Sequence, residues 1–247
     1  MSQKLEICTN SVQSTINAEV AGAHRVELCD NLWEGGTTPS AASIKLAKEK
    51  TSIELFVLIR PRGGDFVYSD LEFETIKEDI NIAKELGADG IVSGVLLSNG
   101  NIDKKRTSEL VKLSSPLPFT FHRAFDVTPE PMKALEDIIE CGAIRILTSG
   151  QKNTAIEGVD FLEQLQIKAK GRITIMPGGG INDSNINQLL STKCREFHMS
   201  GKSPIEGYGK NSKLKMNGSK DIPENVIYTS DVDKIKKVIA KLDMGQL

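Results

Sequence analysis

The sequence predicts one (β/α)8 barrel forming a single domain, an α/β TIM-barrel fold. Three observations carry this. The length of 247 residues is close to the roughly 250 of one such barrel. Eight short aliphatic runs alternate with eight longer stretches of helical spacing. A Gly-Ala phrase returns ahead of three of those runs. Hydrophobic residues at 39% and charged residues at 26% suit a packed core rather than a disordered chain.

In chain order, LEICT at 5–9 is followed by helical spacing near 11–21, and RVELC at 25–29 by spacing near 39–49. The runs at 54–60 and 90–95 precede helices near 70–86 and 103–113, and PFTFHR at 118–123 precedes one near 130–141. RILT at 145–148, RITIM at 172–176 and EFHMS at 196–200 lead to helices near 156–167, 183–190 and 231–241. Strands separated by helices need crossover connections, which predict a parallel sheet. Gly22, Gly87 and Gly142 each stand, before an alanine, where a helix has to stop, as in a left-handed C-cap. They recur about two βα units apart. A doubly wound open sheet has similar local signals; the count of eight units favours closure. One stretch breaks the rhythm, a polar segment at about 201–230 that reads as a long loop.

A net charge of −2 leaves no basic footprint for nucleic acid. No apolar run approaches the roughly 20 residues of a membrane helix. The opening MSQKLEICTN has no apolar signal core, and the four cysteines have no C-x-x-C spacing, so the expected compartment is the cytoplasm.

Barrel chemistry sits at the C-terminal ends of the strands. Side chains alternate along a strand, so if Ile7 and Leu28 face the helices, Glu6, Cys8, Glu27 and Cys29 face the interior. By the same parity Thr120 and His122 point inward, and His198 sits on strand eight. Glu6 and Glu27 read either as catalytic carboxyls or as structural partners of Arg60. His122 is a general acid–base candidate, with a hydrogen-bonded interior histidine as the alternative. Cys8 and Cys29, on neighbouring strands about 4.8 Å apart, could bridge one soft cation, with His198 as a third ligand; otherwise they are small buried fillers. Gly178, Gly179 and Gly180 could cradle an anion with Arg60, Arg62, Arg123, Lys202 and Ser200, or could form only a tight turn.

Taken together, these segments resemble the CutC family. The matching phrases are Glu6-Ile7-Cys8, RVELC at 25–29, GGTTPS at 35–40, IRPRGGDF at 59–66, FHRAFD at 121–126, ILTSG at 146–150, PGGG at 177–180 and FHMSG at 197–201. The resemblance implies a (β/α)8 barrel, a homo-oligomer, a cytoplasmic location and a link to copper tolerance. It also implies Cu(I) binding through two cysteines, which fall on Cys8 and Cys29. The chain departs from the family pattern at His24, where aspartate is usual, and in the segment after Ser200. Two readings follow: a copper homeostasis protein, or an enzyme acting on a small anionic or phosphorylated metabolite at the barrel mouth.

Overall fold

The computed structural model describes residues 3–207 and 225–244. Strands β1 (Lys4–Thr9), β2 (Arg25–Leu28), β3 (Glu54–Leu58), β4 (Gly90–Ser93), β5 (Phe119–Phe121), β6 (Arg145–Thr148), β7 (Thr174–Pro177) and β8 (Glu196–Met199) form one parallel sheet. Its order is β7-β6-β5-β4-β3-β2-β1-β8. A parallel bridge from Gly178 to His198 joins the two ends, so the sheet curls into a nearly closed barrel.

The crossovers are α1 (Val12–Val20), α2 (Ala41–Lys50), α3 (Asp70–Glu85), α4 (Lys104–Ser114), α5 (Pro131–Glu140), α6 (Val159–Ala169) and α7 (Ile186–Leu189), with α8 (Val232–Met244) closing the ring. The first four start where their sequence satisfies free backbone N–H groups. Ser11, Ser40 and Asp103 accept from the third residue onward, and Ser69 forms a reciprocal capping box with Glu72. Gly22, Gly87 and Gly142 have φ of 85°, 87° and 90°, the left-handed stop expected of the Gly-Ala phrase. No described helix is long and apolar enough to cross a membrane.

The polar segment at 201–230 has structure at both ends. Strands β9 (Lys202–Glu206) and β10 (Val226–Ser230) pair antiparallel, and residues 208–224 lie outside the described residues. Polar contacts hold β10 to α1: Asn17 Nδ2 donates to the Ser230 carbonyl at 2.9 Å, and the Ser230 N–H donates to Ser14 Oγ at 3.1 Å. The Lys202 ammonium lies over the rings of Trp33 and Tyr228.

Alternation along the strands sorts side chains into two cores. Leu5, Ile7, Val26, Leu28, Leu55, Val57, Phe119 and Phe121 pack outward against the helices in the large core. Cys29, Phe56, Leu58 and Val92 form a small inner cluster, with Cys8 and Leu32 against it. Below that cluster the barrel is filled by charge. Arg25, 1% exposed, donates to Glu6 and, at 2.7 Å, to Glu196. Arg145 donates to the same Glu196 oxygen at 2.7 Å and to Thr120 at 3.0 Å. Both guanidinium groups lie over the Phe56 ring, at 4.8 and 5.3 Å.

Gly90 makes room for that ring, because a Cβ there would overlap it. Gly90→Ala is therefore expected to overpack the interior and destabilise the fold by about 1–3 kcal/mol. Denaturant unfolding checks this; an unchanged midpoint would show that Phe56 can move freely.

Candidate metal centre at the barrel mouth

The parity of β1, β2 and β8 brings four of the expected residues together above the charged layer. Cys8 Sγ lies 3.5 Å from Cys29 Sγ. On its other side Cys8 joins Glu27 and His198, with one donor atom of each of the three within 4.8 Å of the others. All four cysteines are free thiols. Gly36, at φ 93°, lets the loop after β2 pass close to the pair: a Cβ there would sit 3.6 Å from Cys29 Sγ.

His198 is fixed by carboxylates. Its Nδ1 is 2.7 Å from Glu6 Oε1, and its Nε2 faces Glu27 Oε2 at 3.8 Å. Burial alone would lower its pKa, but Cys8, Glu27 and Glu6 together hold it well above the ordinary imidazole value. Burial likewise favours a neutral Glu6, yet Arg25, His198 and Arg145 bring its carboxyl down to about 2. Glu27 shifts the other way, raised by burial against the pull of His198. The Cys8 thiol is raised well above its usual value by the Cys29 hydrogen bond and by burial. A carboxylate on Nδ1 turns Nε2 towards Cys8 and Glu27, the outer-shell arrangement found behind metal-bound histidines.

The expected pairing of Glu6 and Glu27 with Arg60 is not formed. Glu6 pairs with Arg25, its register partner on the neighbouring strand. Arg60 stands a layer higher and donates to the backbone carbonyls of Glu34, Gly36 and Gly64, at 2.7, 2.9 and 2.7 Å. His122 stands with Arg60 rather than with Glu6 and Glu27. Its Nδ1 accepts from the Ala124 N–H at 3.2 Å, so Nε2 carries the proton. Burial, helped by the Arg60 charge, pushes its pKa down to about 3, so the imidazole is neutral at physiological pH.

The other anion candidates are spread out. Arg62 is bound to Glu72 and Asp65. Arg123 is bound to Asp126 and Ser149, both at 2.7 Å, and lies against Gly179. Gly178 is required by packing, since a Cβ would come within 2.5 Å of Leu147 and 3.3 Å of His198. Gly179 and Gly180 have φ of 104° and 74°. Gly180, Ser200, Lys202 and Lys234 line a cavity of about 230 Å³ between the loops after β7 and β8. The sequence does not single out Arg25, Arg145 or Glu196, although Arg25 and Glu196 open strands that also carry the candidates Glu27 and His198.

The CutC family model matches residues 3–203. The copper homeostasis protein cutC homolog of Mus musculus is 47% identical over 239 residues, covering 96% of this chain and 88% of the mouse protein. Among solved structures, a CutC protein from Streptococcus agalactiae superposes with a TM-score of 0.76 at 38% identity, over 80% of this chain and 98% of that one. Thiamine phosphate pyrophosphorylase from Pyrococcus furiosus, at 14% identity and a TM-score of 0.61 over 98% of this chain and 96% of that one, shares the barrel alone. With the motifs, the strand order and the site residues in place, the chain belongs to the CutC family.

Proposed function

We propose that this chain is a copper homeostasis protein that binds Cu(I) through Cys8 and Cys29, with His198 as a third donor. The sulfur pair carries the reading. Two sulfurs sharing one ion with bonds of about 2.3 Å can stand at most about 4.6 Å apart, and 3.5 Å lies inside that limit. Thiolates with imidazole suit Cu(I) better than any hard cation. Glu6 orients His198 through Nδ1, while Glu27, a poor ligand for a soft ion, faces the same space. Free thiols suit the reducing cytoplasm.

An anaerobic Cu(I) titration against a competing chelator tests this. Wild type is expected to take one equivalent. Cys8→Ser and Cys29→Ser should each abolish tight binding, and His198→Gln should weaken it by about tenfold or more. Binding indifferent to both cysteine changes would end the proposal. Loss of Zn(II) binding alone would instead assign the Cys8, Glu27 and His198 cluster to a harder ion.

A further inference from the structure

Among the described residues Arg60 meets no carboxylate, unlike six other arginines. Arg25, Arg62, Arg106, Arg123, Arg145 and Arg172 all meet one. Arg60 is 5% exposed, and its partners are three backbone carbonyls. These occupy both Nη1 hydrogens and one Nη2 hydrogen, leaving Nε–H without an acceptor. Two more buried polar atoms nearby lack a partner, His122 Nε2 and the Tyr68 hydroxyl. The Phe66 ring ties the group together, with the Arg60 guanidinium and the His122 imidazole each 4.9 Å from its centre. Burial raises the Tyr68 phenol, and the Arg60 guanidinium, close enough for its N–H to reach the phenol oxygen, works against that rise. Gly94 belongs to the same construction, since a Cβ there would come within 2.8 Å of the His122 ring.

A buried guanidinium without a counter-ion is unfavourable, and an unpaired buried donor adds to that. Here a fixed positive charge without a counter-ion lies close to a neutral imidazole N–H and a phenol O–H, and Arg60 Nε–H, His122 Nε2–H and the phenol proton have no protein acceptor. The complement is a group that carries negative charge and only accepts hydrogen bonds. We propose that Arg60, Tyr68 and His122 form a binding site for a small oxyanion, a carboxylate or phosphate group, on the β3–β5 side of the barrel mouth. His122 serves it as a donor and not as a proton shuttle. The site is independent of the sulfur pair, although Gly36 lies between them: its carbonyl accepts from Arg60, and a Cβ on it would touch Cys29.

Acetate, malonate and inorganic phosphate, titrated separately into the reduced, metal-free full chain, test the proposal by calorimetry and by the 15N–1H signal of His122 Nε2. At least one is expected to bind saturably and shift that signal; which one does so separates carboxylate from phosphate ligands. Tyr68→Phe, which removes a single atom, should weaken binding by about tenfold or more. Arg60→Met should abolish it, and Cys8→Ser should leave it unchanged. Tyr68→Phe should in turn leave the Cu(I) titration unchanged, so the two sites fail or stand separately. No saturable binding by any probe, or binding that survives Tyr68→Phe with the His122 signal unmoved, would overturn the proposal and leave these donors to water.

Discussion

Replacing Arg25 with alanine is expected to destabilise the protein by about 3–5 kcal/mol, among the largest effects of any single change in the chain. The side chain is 1% exposed and holds Glu6 and Glu196 inside the barrel, with Glu54 3.7 Å away. Its removal leaves Glu6, itself 1% exposed, with His198 as its ion-pair partner and only the more distant Arg145 charge besides, and leaves Phe56 without one of its two covering guanidiniums. The pH dependence identifies the cause. Glu6 lies near 2 in the folded protein against an ordinary 4.5. A carboxyl depressed by folding stabilises above its unfolded value and loses that contribution as pH falls through the folded one. In wild type the loss runs from about 4.5 down towards 2. In Arg25→Ala burial dominates Glu6, and acid unfolding should begin at a higher pH. Adding Glu6→Gln to Arg25→Ala should recover part of the stability, because the unbalanced charge goes with its partner. Urea unfolding of wild type and the two variants at pH 7 and pH 4 decides the matter; Arg25→Ala within about 1 kcal/mol of wild type would mean that water reaches these groups.

The same residue marks where reading the sequence stopped short. Alternation places Arg25 on the face of Glu27 and Cys29, in the phrase RVELC, so its inward direction was legible. Its partners were not. Period two assigns a face, but which charge meets which depends on the stagger of strands around the barrel, and Glu196 reaches Arg25 from the far end of the chain across β1. Pairing of Arg60 with Glu6 and Glu27, one of the two readings of those carboxyls, fails for the same reason. Counted along its strand it faces inward, yet it lies beyond the last rung of β3, level with loop carbonyls that no hydropathy pattern encodes. The strand and helix order was readable because each unit repeats one signal, aliphatic run then capped helix. The β9–β10 pair was hidden by composition: β9 reads KSPIE, polar and containing a proline, while VIYTS in β10 carries the β-branched and aromatic bias of a strand. Cys8 with Cys29 came from the adjacency of the two strands, although the register sets Cys8 against Glu27 and Cys29 two residues further on; the role of Glu6 behind His198 needed the closure of β8 onto β1.

Cu(I) affinity is expected to rise by at least about a hundredfold per pH unit through the neutral range, because at least two protons, those of Cys8 and His198, must leave as the ion enters. The Cys29 hydrogen bond and burial keep Cys8 a thiol there. His198 would lose its proton to burial alone, but Cys8, Glu27 and Glu6 hold it as an imidazolium. The ion takes a thiolate sulfur and a neutral Nε2, so each group releases one proton, and each proton contributes about tenfold per unit while the pH stays below that group's apo value. Glu6, ionised throughout this range, keeps the Nδ1 proton and the ring orientation, so only the Nε2 proton is exchanged. His198→Gln should flatten the slope by one proton without removing the sulfur pair. Chelator competition from pH 6 to pH 8 measures both slopes. A flat wild-type profile would mean that the ion bypasses Cys8 and His198. Equal slopes in wild type and His198→Gln would leave the sulfurs as the only ligands and return His198 to the charged layer beneath them.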